Sequence, residues 1–229
     1  MIKDPPLVTM RRNFPRPTTE QLGAFAGVQT GFIVDAMNGR GALDYRIKPI
    51  SNDQATFHGV AITSDNGPAD NLGLFCAMEI AQPGDVMIAA TDEFTATAVS
   101  GDLMIGMGKN KGIAAFVTDG CVRDITGIRD IGVPCFSLGV TPNSPVRNGP
   151  GTVGLPVVIG GVAVSTGDIV VGDIDGVVVV PHDDIDKVIA SLTDIFTAES
   201  EMVSKVKDGL STAPFIAKFM TSGQIKELD

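Results

Sequence analysis

Two short stretches carry residues that could do chemistry: Gly101-Asp102-Leu103-Met104 and Arg123-Asp124, with twenty residues between Asp102 and Arg123. The first lies at the expected start of a helix over 103–110. Backbone N–H groups there have no helical partner, and the helix dipole favours an anion. Gly101 lets a second molecule approach the backbone closely. Asp102 offers a cap acceptor, and the amides of Leu103 and Met104 would point at a carboxylate. Arg123 and Asp124 follow a predicted strand and the turn Asp119-Gly120, at the end of an open α/β sheet, where ligands usually bind. Together these groups are a kit for gripping a small keto acid beside a metal ion. Each also has a plainer reading. An aspartate at a helix start is ordinarily a cap, and an adjacent Arg-Asp pair is ordinarily a surface ion pair.

The surrounding elements must position that kit. Residues 1–17 are punctuated by proline and read as an arm. Thr18-x-x-Gln21 fits a capping box opening a helix with Leu22, Phe25 and Ala26 on one stripe, and a second helix starts near Thr30. Gly59–Thr63 reads as a strand, 65–68 as a loop, Asn71–Ile80 as a helix and Val86–Ala90 as a strand. Helix 103–110 closes on Lys109, Lys111 and Gly112. Ile113–Thr118 is a buried-type strand, Ile125–Ile131 a helix and Pro134–Leu138 a strand. Strand, helix and strand in so few residues imply a parallel or mixed sheet with helices on at least one face. Residues 142–161 read as irregular loop with a short strand. Thr166-Gly167-Asp168-Ile169-Val170-Val171 repeats the design of Pro83-Gly84-Asp85-Val86-Met87-Ile88, and Asp175-Gly176 turns a hairpin into Val177–Val180. A helix then runs from Asp183 to Lys207, with Glu199 on its apolar stripe between Phe196 and Met202. A carboxylate on a buried face needs a partner: a salt bridge, or a site on a neighbouring surface.

Composition excludes several classes. A formal charge of −10 with no basic cluster argues against nucleic-acid binding. No apolar run is long enough to cross a bilayer, and Met1–Pro6 lacks the pattern of a signal peptide, so a cytoplasmic location is expected. Cys76, Cys121 and Cys135 have neither metal-type spacing nor an even count, and read as reduced thiols. His58 and His182, the only histidines, stand outside any nucleophile or zinc motif. The glycines of Gly106–Gly112 match neither phosphate-loop nor dinucleotide spacing, and Asp183-Asp184 reads as helix-start charge.

At this point the chain resembles the family uniting 4-hydroxy-4-methyl-2-oxoglutarate/4-carboxy-4-hydroxy-2-oxoadipate aldolases with the RraA-like proteins. The likeness runs over residues 19–208. It rests on Gly101-Asp102-Leu103, Asp119-Gly120-Cys121-Val122-Arg123-Asp124, Gly151-Thr152-Val153, and Gly167-Asp168-Ile169-Val170 through Asp173-x-Asp175-Gly176-Val177-Val178-Val179-Val180. Residues 1–18 and 209–229 fall outside it as an N-terminal arm and a C-terminal tail.

The resemblance implies an α/β chain with a three-layer β/β/α swivelling-type domain, N-terminal helices and a long C-terminal helix. It implies a homotrimer or homohexamer with active sites at subunit interfaces. Mg2+ or Mn2+ would be held by Asp124, with water-mediated help from Asp102 and a Glu from the neighbouring subunit, matched by Glu199. Arg123 would bind the keto-acid oxygens and the amides of Leu103 and Met104 its carboxylate, with Asn71 in the pocket. The implied activity is metal-dependent retro-aldol cleavage to pyruvate and a second keto acid, with companion oxaloacetate decarboxylation. No Schiff-base lysine is required, and Lys109 and Lys111 read as helix-end charge. Some relatives bear a methyltransferase label, but this sequence has no Gly-rich loop for a methyl donor. The other reading within the family is a non-enzymatic RraA-like regulator that binds a ribonuclease.

Overall fold

The computed structural model describes residues 6–228; the first five residues of the expected arm and the last of the expected tail lie outside them. Strand β1 (Val8–Met10) is followed by helices α1 (Thr19–Gly23) and α2 (Thr30–Ala36), then β2 (Lys48–Pro49), β3 (Phe57–Asp65) and α3 (Leu72–Ile80). Next come β4 (Asp85–Ala90), β5 (Ala98–Ser100), α4 (Asp102–Lys111), β6 (Ala115–Thr118), β7 (Cys121–Val122) and α5 (Ile125–Ile131). The short strands β8 (Cys135–Ser137), β9 (Gly139–Val140), β10 (Gly151–Val153), β11 (Val157–Ile159) and β12 (Val162–Val164) lead to the hairpin of β13 (Ile169–Asp173) and β14 (Gly176–Val180). Helices α6 (Ile185–Lys207) and α7 (Pro214–Met220) follow.

Local chemistry explains many of these boundaries. The capping box at α1 is complete: Gln21 N–H donates to Thr18 Oγ1 (3.1 Å) and Thr18 N–H to Gln21 Oε1 (2.9 Å). Helix α4 stops at Gly112, whose φ of 79° only glycine adopts cheaply. Its two lysines act at the helix end as expected, donating to Ile131 O and Glu79 O.

The main sheet has nine strands and is mixed. β3, β4, β6 and β8 run parallel, and β13 and β10 pair antiparallel with β3. Side chains alternate across a strand, and both faces of this sheet are buried. Ala61, Val86, Ile88, Ala115 and Val117 face one core, which the small β11–β12 ribbon closes with Val157, Ile159 and Val164. Their neighbours Ile62, Met87, Ala89 and Phe116 face the opposite core, closed by α3, α4 and α5. Sheet, sheet and helix layers result. A third cluster packs α2 and the start of α6 on Ile169, Val171, Val178 and Val180 of the hairpin.

The two repeated turn-plus-strand units are built alike. Asp85 Oδ2 accepts Gln82 N–H (2.8 Å) and Asp168 Oδ2 accepts Ser165 N–H (2.7 Å), each three residues back. The strands they open, β4 and β13, flank β3 on either side, both aligned on Val60.

Three expectations change. The stretch read as an arm contributes β1, which pairs in parallel with β10, and Arg16 reaches into the fold to grip Asp85 through both terminal guanidinium nitrogens (2.7 and 2.9 Å). The tail contains α7, started by Pro214 at its first position. The third change concerns α6, whose apolar stripe is buried only at Ile185, Val188 and Leu192. Beyond these, Phe196, Met202, Val203 and Val206 are exposed, and so is Glu199. The periodicity is real, but the helix outruns the body it packs on, so Glu199 does not sit on a face buried within this chain.

Candidate active site

Two strand-to-helix junctions lie side by side. β5 and β7 pair in parallel in a separate three-stranded sheet, and Arg123 N–H donates to Ser100 O (3.0 Å). The chain leaves β5 through Gly101 into α4 and leaves β7 through Arg123-Asp124 into α5. Both helix starts therefore open at the same end of adjacent parallel strands, an arrangement that concentrates unpaired N–H groups and positive dipole. A pocket of about 290 Å³ forms there, and it brings together Asn71, Gly101, Asp102, Leu103, Met104, Arg123 and Asp124. Of the site residues expected from the sequence, only Glu199 is absent from its lining.

Details differ from the simple cap picture. Gly101, not Asp102, is the cap residue of α4, and Asp102 is its first helical residue. Asp102 Oδ1 accepts the N–H of Leu103 (2.7 Å), so that amide is occupied by its own neighbour until something displaces it. Gly101 has a reason to be glycine beyond the close approach of a second molecule. A Cβ there would meet Asp124 Oδ2 at 2.8 Å and Arg123 Cγ at 3.0 Å, so the glycine makes room for the second junction.

Asp124 stands at the cap position of α5 without capping it, in the left-handed region with φ 59° and ψ 43°. Non-glycine residues are uncommon there, although Asp is among those that tolerate it. Its Oδ2 lies 3.2 Å from Arg123 Nε, so the ion pair read from the sequence is present, half-exposed on both sides. Arg123 also donates to Ser144 Oγ, which fixes the guanidinium from a loop far along the chain.

Two polar atoms of residues lining this pocket are left over. Asn71 donates Nδ2 to Val99 O (2.9 Å), but its Oδ1 and the Ser100 Oγ are buried without a partner. Both residues are 4% exposed. Buried polar groups are nearly always paired, so a bound water or ligand atom would be the natural partner of each. Sequence reasoning misses Ser100 and Gly127. Gly127, in the first turn of α5, would place a Cβ 2.6 Å from Asp102 Oδ2, which a lone helical glycine does not advertise.

Other candidate centres are weaker. A recess of about 420 Å³ includes Arg11, Asp168 and His182, but Asp168 spends both oxygens on the amides of Ser165 and His182. The three cysteines are unpaired. Burial pushes the Cys121 thiol up and the Cys135 thiol up to about 12, so neither is poised as a thiolate nucleophile. No described helix is long and apolar enough to cross a membrane.

Comparison with known proteins identifies the family. A protein of Halalkalibacterium halodurans, provisionally named 4-hydroxy-4-methyl-2-oxoglutarate aldolase, is 39% identical over 158 residues, covering 69% of this chain and 74% of its own. The structure of Streptomyces coelicolor RraAS2, described as an unusual member of the RNase ES inhibitor RraA family, superposes with a TM-score of 0.74. It is 27% identical and covers 83% of this chain and all of its own. The RNA-processing inhibitor RraA from Thermus thermophilis matches with a TM-score of 0.62 at 27% identity, over 67% of this chain and 93% of its own. The model of the RraA-like family, described as Aldolase/RraA, matches residues 30–179, a span holding every pocket residue named above; with that match and the 39% identical relative, the chain belongs to the RraA-like family of aldolases and RraA proteins.

Proposed function

We propose that this chain is a divalent-metal-dependent aldolase that cleaves 4-hydroxy-4-methyl-2-oxoglutarate-type 4-hydroxy-2-oxo acids to pyruvate and a second keto acid. Oxaloacetate decarboxylation would accompany it, because both reactions pass through the same enolate. The observation that carries this reading is the convergence of Arg123, Asp102, Asp124 and the start of α4 on one pocket. The provisional name of the 39% identical relative supports it.

The donor set fits a hard cation. Asp102 and Asp124 present carboxylate oxygens, and magnesium or manganese in such sites is held by one or two carboxylates while keeping water and substrate oxygens. Among the described residues, no group of three or more His, Cys, Asp or Glu could hold a metal ion. A further carboxylate would have to come from another copy. Glu199, exposed on a helix whose outer half carries unburied apolar residues, suits delivery across an interface in a homotrimer or homohexamer. The unpaired thiols favour a reducing, cytoplasmic setting.

A divalent cation at these carboxylates would polarise the 2-keto oxygen and stabilise charge developing on it. The chain's own groups do the rest. The α4 amides receive the C1 carboxylate once Asp102 Oδ1 gives up the N–H of Leu103. Arg123 donates to the 2-oxo oxygen, most strongly when that oxygen becomes an enolate. The 4-hydroxyl proton leaves to solvent ordered by Asp102, the C3–C4 bond breaks, and its electron pair enters the enolate as C4 becomes a carbonyl. Protonation at C3 then releases pyruvate.

Pyruvate release from 4-hydroxy-4-methyl-2-oxoglutarate and from oxaloacetate, with magnesium, manganese or chelator, tests the reading. Chelator-sensitive cleavage of the hydroxy acid is expected, and no metal-dependent release from either compound would overturn it. A second reading, a non-enzymatic regulator that binds a ribonuclease, is favoured by the two RraA structures that superpose on this chain. Co-purification with ribonuclease from a pull-down, together with absent turnover, would select it.

A further inference from the structure

One cation in the pocket has no assigned work. Arg147 lines it and belongs to the same loop as Ser144, which holds Arg123. Its guanidinium carbon sits 5.0 Å from the centroid of the Phe75 ring, which also lines the pocket. Stacking of this kind orients a guanidinium without consuming its N–H donors. Among the described residues Arg147 forms no ion pair with a carboxylate, whereas Arg123 is already paired with Asp124.

The backbone beneath Arg147 is tied down on both sides. Val146 bridges Asp70, its N–H donating to Ala69 O (2.8 Å) and its carbonyl accepting Asn71 N–H (3.1 Å). After Arg147, the amides of Asn148 and Gly149 both donate to Asp70 Oδ2. The other oxygen of this buried carboxylate accepts Leu72 N–H at the start of α3 (2.8 Å). A loop so clamped presents its side chain from a fixed point, in the pocket that Asn71 and Ser100 also line.

We infer that Arg147 is the specificity-determining residue for a second, distal carboxylate, making the pocket selective for dicarboxylic over monocarboxylic 2-oxo acids. Asp70 is then a positioning residue. The inference rests on the keto-acid reading above and deepens it. In that reading Arg123 and the α4 amides are taken by the C1 carboxylate and the 2-oxo oxygen, which leaves Arg147 as the donor fork for the far end. A fork of N–H donors matches a carboxylate bidentately.

The test is binding of a pair with the same five-carbon chain, 2-oxoglutarate and 2-oxopentanoate, which differ in whether C5 is a carboxylate or a methyl group, to the full chain in magnesium by calorimetry. The wild type is expected to favour 2-oxoglutarate by about tenfold or more, the scale of one charge-assisted contact. Arg147→Met should erase that preference and leave 2-oxopentanoate binding unchanged, and Arg147→Lys should keep part of it. A preference that survives in Arg147→Met overturns the assignment, as does equal loss of both ligands. If the wild type binds neither compound, the keto-acid reading of the pocket falls first and the assignment with it.

Discussion

The two ends of β-strands use aspartate in opposite ways. At the end where β4 and β13 begin, Asp85 and Asp168 are buried and spend both oxygens on the fold: Asp85 on Arg16 and Gln82, Asp168 on Ser165 and His182. At the end where β5 and β7 finish, Asp102 and Asp124 face a pocket, and neither is saturated by the chain in this way. Asp85, Asp168 and Asp102 each follow a glycine at an element boundary and look alike as sequence. The difference between a carboxylate that builds and one that reacts lies in how many of its lone pairs the fold has already claimed.

The sharpest way to break that contrast is to remove charge at each end and measure both turnover and stability. At the pocket, Arg123→Ala should lower kcat about 10³-fold, the scale of losing a transition-state donor. Its unfolding free energy should shift by less than about 1 kcal/mol, because the half-exposed ion pair with Asp124 and the exposed hydrogen bond to Ser144 lie in reach of water. Pyruvate release and urea titration on one preparation check both halves.

At the opposite end, Asp85→Ala should cost about 3 kcal/mol of stability, because it strands a partly buried guanidinium and removes a buried, hydrogen-bonded partner. Turnover per folded molecule should stay within about twofold, far below the factor of ten that each 1.36 kcal/mol of barrier carries. If Asp85→Ala abolished turnover in fully folded protein, or Arg123→Ala unfolded the chain, the division between the two ends would fail.

Much of this contrast is legible in the amino-acid sequence. The strings Gly101-Asp102 and Arg123-Asp124 sit where strands hand over to helices, and period and cap chemistry locate such junctions. The mixed α/β architecture follows from alternating strand and helix patterns, and the Pro83-Gly84-Asp85 and Thr166-Gly167-Asp168 echo marks two strands that prove to flank β3. What stays hidden depends on contacts between distant segments. Arg147 lies in an aperiodic loop, and bonds to a distant segment bring it to the pocket, among them that of the Asp70 carboxylate, 78 residues away from Asn148. Strand β1 spans three residues, too few to show a period. The α6 stripe is apolar, as its spacing says, but its outer half is not buried, because a periodic pattern states which face is apolar and not what covers it.

Gly127 probes the pocket end more gently. In a helix interior alanine is favoured over glycine by about 1 kcal/mol, yet here a methyl group would press on Asp102 at Oδ2 and at Cβ (2.6 and 2.7 Å). Gly127→Ala should therefore leave stability within about 1 kcal/mol while displacing Asp102, with a fall in kcat of about tenfold, equivalent to 1.36 kcal/mol of barrier. An unchanged kcat would show that the Asp102 position is not critical to the reaction.

The smallest effect is a pH dependence at two carboxylates that the fold has saturated, Asp119 and Asp168. Burial is the largest influence on Asp119 and Asp168 and holds both above the ordinary carboxylate value of 3.8, while hydrogen bonds from Thr91 and Glu93 to the first, and from Ser165 and His182 to the second, pull the other way. A carboxyl whose pKa is higher folded than unfolded binds its proton more tightly in the native state, so its contribution is fully present below 3.8 and is lost as pH rises through the raised value. Asp119→Asn and Asp168→Asn cannot ionise at these positions. The stability of wild type relative to either variant should therefore shrink between about pH 4 and pH 7, a window set by the usual carboxylate range and the upward shift. Denaturant titrations at the two ends of that window measure the slope. A difference that grew with pH would mean that the amide donors outweigh burial, and that saturation by hydrogen bonds holds these aspartates ionised.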